Sequence, residues 1–510
     1  MDVVSALLGK GIFISPEIAS NPQLLEKLSE LKDEDLEGVM FIDRVFLQKR
    51  GLLLDLNLEI KEQEKGRPAS AVKVLFSYDK EPGKITVSDF VAHFNKRFEA
   101  LSALLRQRQE LQKATSINRL KGKTTRENIA IIGLVFAKSV TKNKNILITL
   151  EDPTGKVNVI ISDKKKELLE QAKEVVLDEL IGIEGVIAGN FVLANQIILP
   201  DVPLIKEFKK SPEEEYLVLI GDPHFGSKNF LKKEFDDFIE WINQKKGNHE
   251  QREIAAKIKY LIIIGDLVEG IGIYPGQEED LEIKDIQEQY DIFTGYLKRI
   301  PAHISIIICP GNHDVGRISE PQPPLLHKYA ESLKKLSNIL LLSNPAMINI
   351  GAKENFSGFD LLLYHGYSLI YYSDHVDTIR QKGGQKRPDL LMKLLLQMRH
   401  LAPTHTSNLY TPDSNFDPLV INRIPDFFIT GHIHRVSVSN YKNITLVNCS
   451  CWSDITEDQE KRGLQPQPAR VPVVNLQTRE VKVINFFRGE KTEAKPEREK
   501  EKAETIKITS

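Results

Sequence analysis

Apolar residues fall into three kinds of pattern along this chain. Near the start, SNPQLLEKLSELKDEDL spaces Leu24, Leu25, Leu28 and Leu31 as one face of a helix behind a cap at Ser20 or Asn21. With Phe41, Val45, Phe46 and the run Leu52–Leu58, residues 1–75 are predicted to form a small, mostly helical domain without chemistry of its own, suited to interaction or scaffolding. Residues 62–87 are polar except for one apolar run at Val72–Phe76, and read as a linker. It leads into an amphipathic helix capped by Ser88. Phe90, Val91, Phe94, Phe98, Leu101 and Leu104 lie on its apolar stripe, and Arg106, Arg108 and Lys113 on a solvated face. Linker and helix together fill 76–116.

From 117 to 205 the pattern becomes that of strands: NIAIIGLVFAKSV, NILITLEDPTGKVNVIIS and LIGIEGVIAGNFVLANQIIL, separated by Gly, Asn and Asp-Pro turns. Three strands, a helix in KKKELLEQAKEVVLD and two more strands predict a five-stranded OB barrel, with Asp152-Pro153-Thr154-Gly155 turning into the third strand. Aromatic residues are almost confined to Phe136 and Phe191, so docking to protein is favoured over direct binding of a single strand. From 206 to 488 the third pattern appears. Leu217–Ile220, YLIIIGD, ISIIICPGNHD, DLLLYHG and DFFITGHIH are continuous apolar runs, each ending in a polar loop, and they alternate with helical patterns such as KKEFDDFIEWINQK. Such runs read as strands buried on both faces of a layered α/β domain, with the ligand site along one rim. Residues 489–510 are charged and nearly devoid of bulky apolar groups, and are expected to be a disordered tail.

At 510 residues the chain is too long for one core, and about two to four domains are expected. The net charge of −2 supplies no global field for a polyanion, so any nucleic acid must be held by local patches or metal ions. Cys309, Cys449 and Cys451 are too few and too scattered for a disulfide framework and lack zinc-finger spacing. Cys449 and Cys451 read as small strand residues, and a reducing, cytoplasmic compartment is expected. No stretch reaches the ~20 apolar residues of a membrane span, and no basic and apolar leader is present, so no membrane association is expected.

The chemistry lies in five loops, each after one of the apolar runs of 206–488. They supply Asp222 and His224; Asp266; Asn312, His313 and Asp314; His365; and His432 and His434. Five of the chain's 12 histidines fall here, with a glycine beside every loop at 221, 265, 311, 366 and 431, where the backbone must turn tightly or approach closely. Carboxylate oxygens and imidazole nitrogens in this mixture suit Mn²⁺, Zn²⁺ or Fe²⁺. His249, His303, His327 and His375 belong to no motif and read as structural. Arg317 is placed to contact a phosphate or to pair with Glu320, and Arg399 with His400, at a helix end, could face substrate.

The order D-x-H, GD, GNHD, H, GHxH resembles the calcineurin-like metallophosphoesterase superfamily. That resemblance implies two divalent cations, Mn²⁺ first with Mg²⁺, Fe²⁺ or Zn²⁺ as alternatives. Asp222, His224 and His434 would hold one, Asn312, His365 and His432 the other, and Asp266 would bridge them. It makes His313 the catalytic group that protonates a leaving oxygen, with Asp314 orienting it. Pro223 between two ligands fixes φ without supplying a ligand. The loop PGNHDVGRISEPQPPL, the segments RHLAPTH, IPDFFITGHIH, LVNCSCW and ARVPVVNL, and the barrel ahead of them resemble the small subunits of archaeal family-D DNA polymerases. The expectation is then a multidomain protein with a calcineurin-like α/β domain behind an OB barrel and a helical N-terminal domain. It would act as a 3′-to-5′ proofreading exonuclease on single-stranded or mismatched DNA ends. Its partners would be a large polymerising subunit, in a heterodimer or heterotetramer, and a sliding clamp. A catalytically silent scaffold, or a repair nuclease or phosphodiesterase of the same superfamily, are the alternatives.

Overall fold

Continuous apolar runs need cover on both faces, and in the computed structural model they find it by layering. The structure describes residues 72–489 apart from 82, 121–125, 326, 327 and 456–464. It also describes a few positions nearer the ends, among them 13–14, 41–42 and 504–506. The helical reading of 1–75 therefore lies almost wholly outside the described residues. Of that region the structure gives a parallel pairing of Phe13–Ile14 with Phe41–Ile42. Residues 1–67 and 68–510 form two separate units.

In the larger unit, β1 is Val72–Ser77 and α1 is Val87–Leu105. A closed barrel follows, made of β2 (Asn128–Val140), β3 (Ile146–Asp152), β4 (Gly155–Ile161), β5 (Leu180–Ala188) and β6 (Phe191–Ile198) in the spatial order β2-β3-β4-β6-β5. The helix α2, Lys166–Glu174, sits between the third and fourth strands. The turn into β4 is held by Asp152, whose Oδ1 accepts from the Thr154 and Gly155 amides at 2.8 and 3.0 Å. Alternate residues of all five strands, Ile131, Ile148, Val159, Ile183 and Val192 among them, fill the interior.

The rest of the unit is two sheets packed face to face with helices outside. The first contains β7 (Tyr216–Ile220), β8 (Ile258–Ile264), β9 (Ser305–Cys309) and β10 (Ile339–Leu341), all parallel. The second is built on β11 (Ala346–Ile350), β12 (Phe359–Leu363), β13 (Phe427–Thr430), β14 (Ser437–Tyr441) and β15 (Ile444–Asn448). Antiparallel β16 (Arg470–Asn475) and β17 (Val481–Asn485) complete the first sheet beside β7. Leu217, Ile262 and Ile307 from the first sheet meet Ile348, Leu361 and Ile429 from the second in one core. The opposite faces pack on helices: Val218 and Ile263 on Phe235, Phe238 and Phe293, and Leu362, Phe428 and Leu446 on Leu391 and Leu395. The central strands β7, β8, β9, β12 and β13 are thus buried on both faces, which is why their sequences read as nearly unbroken apolar residues.

Several expectations change. Val72–Ser77, inside the segment read as linker, is an edge strand of the second sheet, antiparallel to β11. Being half-buried between charged stretches, it carries little pattern of its own. The cap of α1 is Thr86 rather than Ser88: the Asp89 carboxylate accepts from the Thr86 amide at 2.8 Å and its hydroxyl at 2.7 Å. Arg97 on this helix is buried against Asp417, Nε to Oδ2 2.7 Å. Cys449 and Cys451 lie just past the end of β15, and all three cysteines are free and buried. Within the tail, Glu504–Ile506 pairs with β17, while 490–503 and 507–510 lie outside the described residues. Among the described residues no helix is long and apolar enough to cross a membrane.

Candidate metal centre

Because β7, β8 and β9 are parallel, their C-terminal ends share one rim, and the loops carrying Asp222, His224, Asp266 and Asn312 emerge side by side. The second sheet brings His365 after β12 and His432 and His434 after β13, which are also parallel neighbours. The seven side chains named from the sequence meet where the two rims face each other. Three groups of ligand atoms lie within 4.8 Å: Asp222, His224 and His434; His224, Asp266 and His313; and Asp266, His365 and His432. His224 and Asp266 each belong to two of these groups, so the clusters are joined. Asn312 belongs with the last, its Oδ1 3.1 Å from His365 Nε2.

The local backbone is bent to achieve this. Asp222, His224, Asp266, His432 and His434 all have positive φ, between 50° and 66°. A side chain in that region costs on the order of 1–3 kcal/mol, so five such residues at one site mark a geometry held against strain. Two glycines make room. A Cβ on Gly311 would stand 2.3 Å from Asp266 Oδ1, and one on Gly265 would stand 2.4 Å from His365 Nδ1.

Hydrogen bonds fix which ring nitrogens face inward. His365 Nδ1 donates to the Ile264 carbonyl at 2.8 Å, leaving Nε2 toward Asp266 Oδ2 at 3.3 Å. His224 Nδ1 stands 3.0 Å from Glu269 Oε2, leaving Nε2 3.1 Å from His434 Nε2. Two imidazole nitrogens aimed at each other beside the Asp222 and Asp266 carboxylates fit a cation between them better than they fit each other. Asp222 is positioned by the His432 amide, which donates to both its oxygens at 3.1 and 3.0 Å. Burial alone would raise the Asp266 carboxyl, but the imidazoles of His365, His313 and His224 outweigh it and hold the group well below the usual carboxylate range. Burial, reinforced by His365, pushes His432 down to about 3. The donors are all oxygen and nitrogen, the set that suits Mn²⁺, Mg²⁺, Fe²⁺ or Zn²⁺, and the residues present fit divalent cations.

His313 reaches the cluster, but not as expected. Its Nδ1 donates to the Glu269 carbonyl at 2.8 Å. Asp314 does not orient it: that carboxylate accepts from the Gly311 amide at 2.8 Å, the Tyr290 hydroxyl at 2.9 Å and the Leu267 amide at 3.2 Å, tying the third loop to the second. Burial and the neighbouring Asp266 push Asp314 up to about 7. Glu269 was missed in the sequence. Its only signal there is its place three residues after Asp266, before Gly270.

The three residues read as substrate contacts lie elsewhere. Arg317 donates through Nε and Nη2 to the Pro321 carbonyl at 3.0 and 2.6 Å, not to Glu320. Glu320 is buried with Tyr364, Asn344 and Asn408. Arg399 is buried and donates to the carbonyls of Ile421 and Asn422. His400 is buried against Asp417, Nε2 to Oδ2 2.8 Å. Their polarity closes backbone and buried-charge requirements, which the sequence does not distinguish from a surface role. The cleft that does open over the cluster has a volume of about 1210 Å³, and it is lined by His224, Asp266, His313, His432 and His434 together with residues of both rims.

Residues 217–438 match the family of B-subunits of DNA polymerases alpha and epsilon. Over 390 residues the chain is 38% identical to the DNA polymerase II small subunit of Methanothermobacter thermautotrophicus, covering 76% of this chain and 78% of that one. It is 39% identical over 407 residues to the protein of the same name from Pyrococcus furiosus, covering 79% and 64%. To that from Archaeoglobus fulgidus it is 36% identical over 387 residues, covering 76% and 75%.

Proposed function

The chain belongs to the family of archaeal DNA polymerase II small subunits, the small subunits of family-D polymerase, and from that premise we propose that it is the polymerase's proofreading subunit, a 3′-to-5′ exonuclease for single-stranded or mismatched DNA ends. The observation that carries the reading is the joined set of Asp and His clusters at the rim shared by two sheets. In this reading the two packed sheets are a calcineurin-like phosphoesterase domain and the barrel is an OB fold. The large catalytic subunit is the partner, for which the chain also serves as scaffold.

Asp222, His224 and His434 would hold one divalent cation, Asn312, His365 and His432 a second, and Asp266 would touch both. Bound there, such ions supply a nucleophile at neutral pH and neutralise charge on the phosphate, with Mn²⁺ the expected occupant. The chain's own residues do the rest. The Ile264 carbonyl fixes the tautomer of His365, and the Glu269 carboxylate beside His224 Nδ1 favours the orientation in which Nε2 faces inward. His313, whose Nδ1–H is held by the Glu269 carbonyl, keeps Nε2 for the substrate and would pass a proton to the leaving oxygen from its imidazolium form. Asp314 acts on loop geometry through Gly311 and Leu267 and is a positioning residue.

The test is release of nucleotides from a labelled single-stranded 3′ end, with Mn²⁺ and with chelator, by the chain alone and with its large subunit. Metal-dependent release from the 3′ end supports the reading. No release in either form leaves a catalytically silent scaffold, and release from the 5′ end alone points to a repair nuclease.

A further inference from the structure

The cleft is wider than a single phosphate needs, and its two rims differ in chemistry. From the first sheet, the loop after β8 contributes Tyr274, Pro275, Glu279 and Asp280. Tyr274 keeps 37% of its surface exposed. Its hydroxyl donates to Asp280 Oδ2 at 2.9 Å and lies 3.4 Å from Glu269 Oε1. Glu269 in turn stands 3.0 Å from His224. The phenol is therefore anchored at its far end within one nucleotide's reach of the metal-ligating cluster. From the second sheet come Arg380, Lys386 and Arg435. Lys386 and Arg380 are exposed, Arg380 with one carboxylate neighbour, Asp377 at 2.5 Å.

Carboxylates outnumber Lys228 on the first rim and cations outnumber Asp374 on the second, and this bias sorts the parts of a nucleic acid strand. Phosphates are repelled by Glu279 and Asp280 and drawn toward Arg380, Lys386 and Arg435. The heterocycles are then turned to the side where an aromatic ring is waiting, and an aromatic ring accepts any base by stacking. We propose that Tyr274 is a stacking platform for a base near the reacting end of a single DNA strand whose phosphates lie along Arg380 and Lys386. A base inside a duplex is stacked on both faces and a terminal one is still tied to its complement, so an unpaired end, free to turn its last bases onto the ring, uses this platform best. This rests on the phosphodiesterase reading above and names how its substrate is held.

The experiment measures binding of a fluorescein-labelled single-stranded dodecamer with phosphorothioate linkages at its 3′ end to the full chain in Mn²⁺. A second strand is abasic at its last two 3′ positions. Tyr274→Ala is expected to weaken binding of the intact strand by about tenfold, while Tyr274→Phe stays within about twofold of the unmodified chain. The abasic strand should bind the unmodified chain as weakly as the intact strand binds Tyr274→Ala, with no further loss when the two changes are combined. Lys386→Ala and Arg380→Ala should weaken both strands alike, each lowering the salt slope by about one. Equal binding of intact and abasic strands by the unmodified chain, an equal loss on both strands in Tyr274→Ala, or no binding of either strand overturns the proposal. Cleavage of an unmodified strand is followed in parallel, by the chain alone and with its large subunit. Base-dependent binding without cleavage refutes the phosphodiesterase reading and keeps Tyr274, and cleavage with base-independent binding does the reverse.

Discussion

His313 and His365 are both fixed through Nδ1 by a backbone carbonyl, but His365, like His224, turns Nε2 to the Asp266 carboxylate, whereas in the proposed reading His313 keeps Nε2 for substrate. His313→Ala is therefore expected to lower exonuclease turnover by about 10²–10⁴-fold. Retention of Mn²⁺ by the desalted chain should be unchanged, and a variant that also loses its metal would make His313 a ligand instead. The candidate ligands were legible in the sequence because each of their loops carries a glycine at the end of an apolar run, a local signature. Glu269 was not, because its role comes from the Glu269 carbonyl meeting His313 and its carboxylate meeting His224, contacts between separate loops. Arg399 and His400 misled for the converse reason: a polar residue at a helix end looks the same whether it faces substrate or satisfies buried carbonyls and a buried aspartate.

At the scale of elements, loops and barrel make separate predictions. The third loop passes so close to the second that Gly311 has no room for a methyl group beside Asp266. Gly311→Ala should destabilise the chain by about 1–3 kcal/mol. It should also cut turnover by about 100-fold through displacement of Asp266, as seen by comparing thermal unfolding with nucleotide release. In the barrel, Glu179 is fully buried, and burial raises its carboxyl from 4.5 to about 7 despite the Val176 amide and the nearby Lys138. The folded chain then keeps a proton there that the unfolded chain releases near 4.5. Between those two values the folded state binds more protons, so stability falls as pH rises through the window and levels off above about 7. At about 1.4 kcal/mol per unit this amounts to roughly 3 kcal/mol, by which Glu179→Gln should shrink the stability difference between pH 5 and pH 8 measured by urea unfolding. The remainder comes from groups such as Asp314 that are raised in the same way. The order of strands and helix in this barrel followed from alternation and turn residues. The strand Val72–Ser77 did not, since an edge strand added from far along the chain is specified by β11 rather than by its own pattern.

For the whole molecule, what matters is that the ligands are divided between two sheets whose direct contact is an apolar interface. Ions bound across the rims would add a second tie. Free Mn²⁺ at about 100 times its dissociation constant stabilises a one-site folded state by about 2.7 kcal/mol. Calorimetry should accordingly show a Tm several degrees higher with Mn²⁺ than with chelator, and Asp266→Asn should erase the difference. The double layer of sheets was visible in the unbroken apolar runs, but which runs share a sheet was not, because parallel neighbours such as β12 and β13 are separated by more than one helix. The left-handed residues at the rim carry a last consequence. Asp222→Gly would relieve a left-handed residue but forfeit both hydrogen bonds from the His432 amide, whereas His432→Gly relieves one and keeps that amide on Asp222, so His432→Gly should melt at a higher temperature than Asp222→Gly. The strain stored along this rim can be shed only where no backbone donor loses its carboxylate.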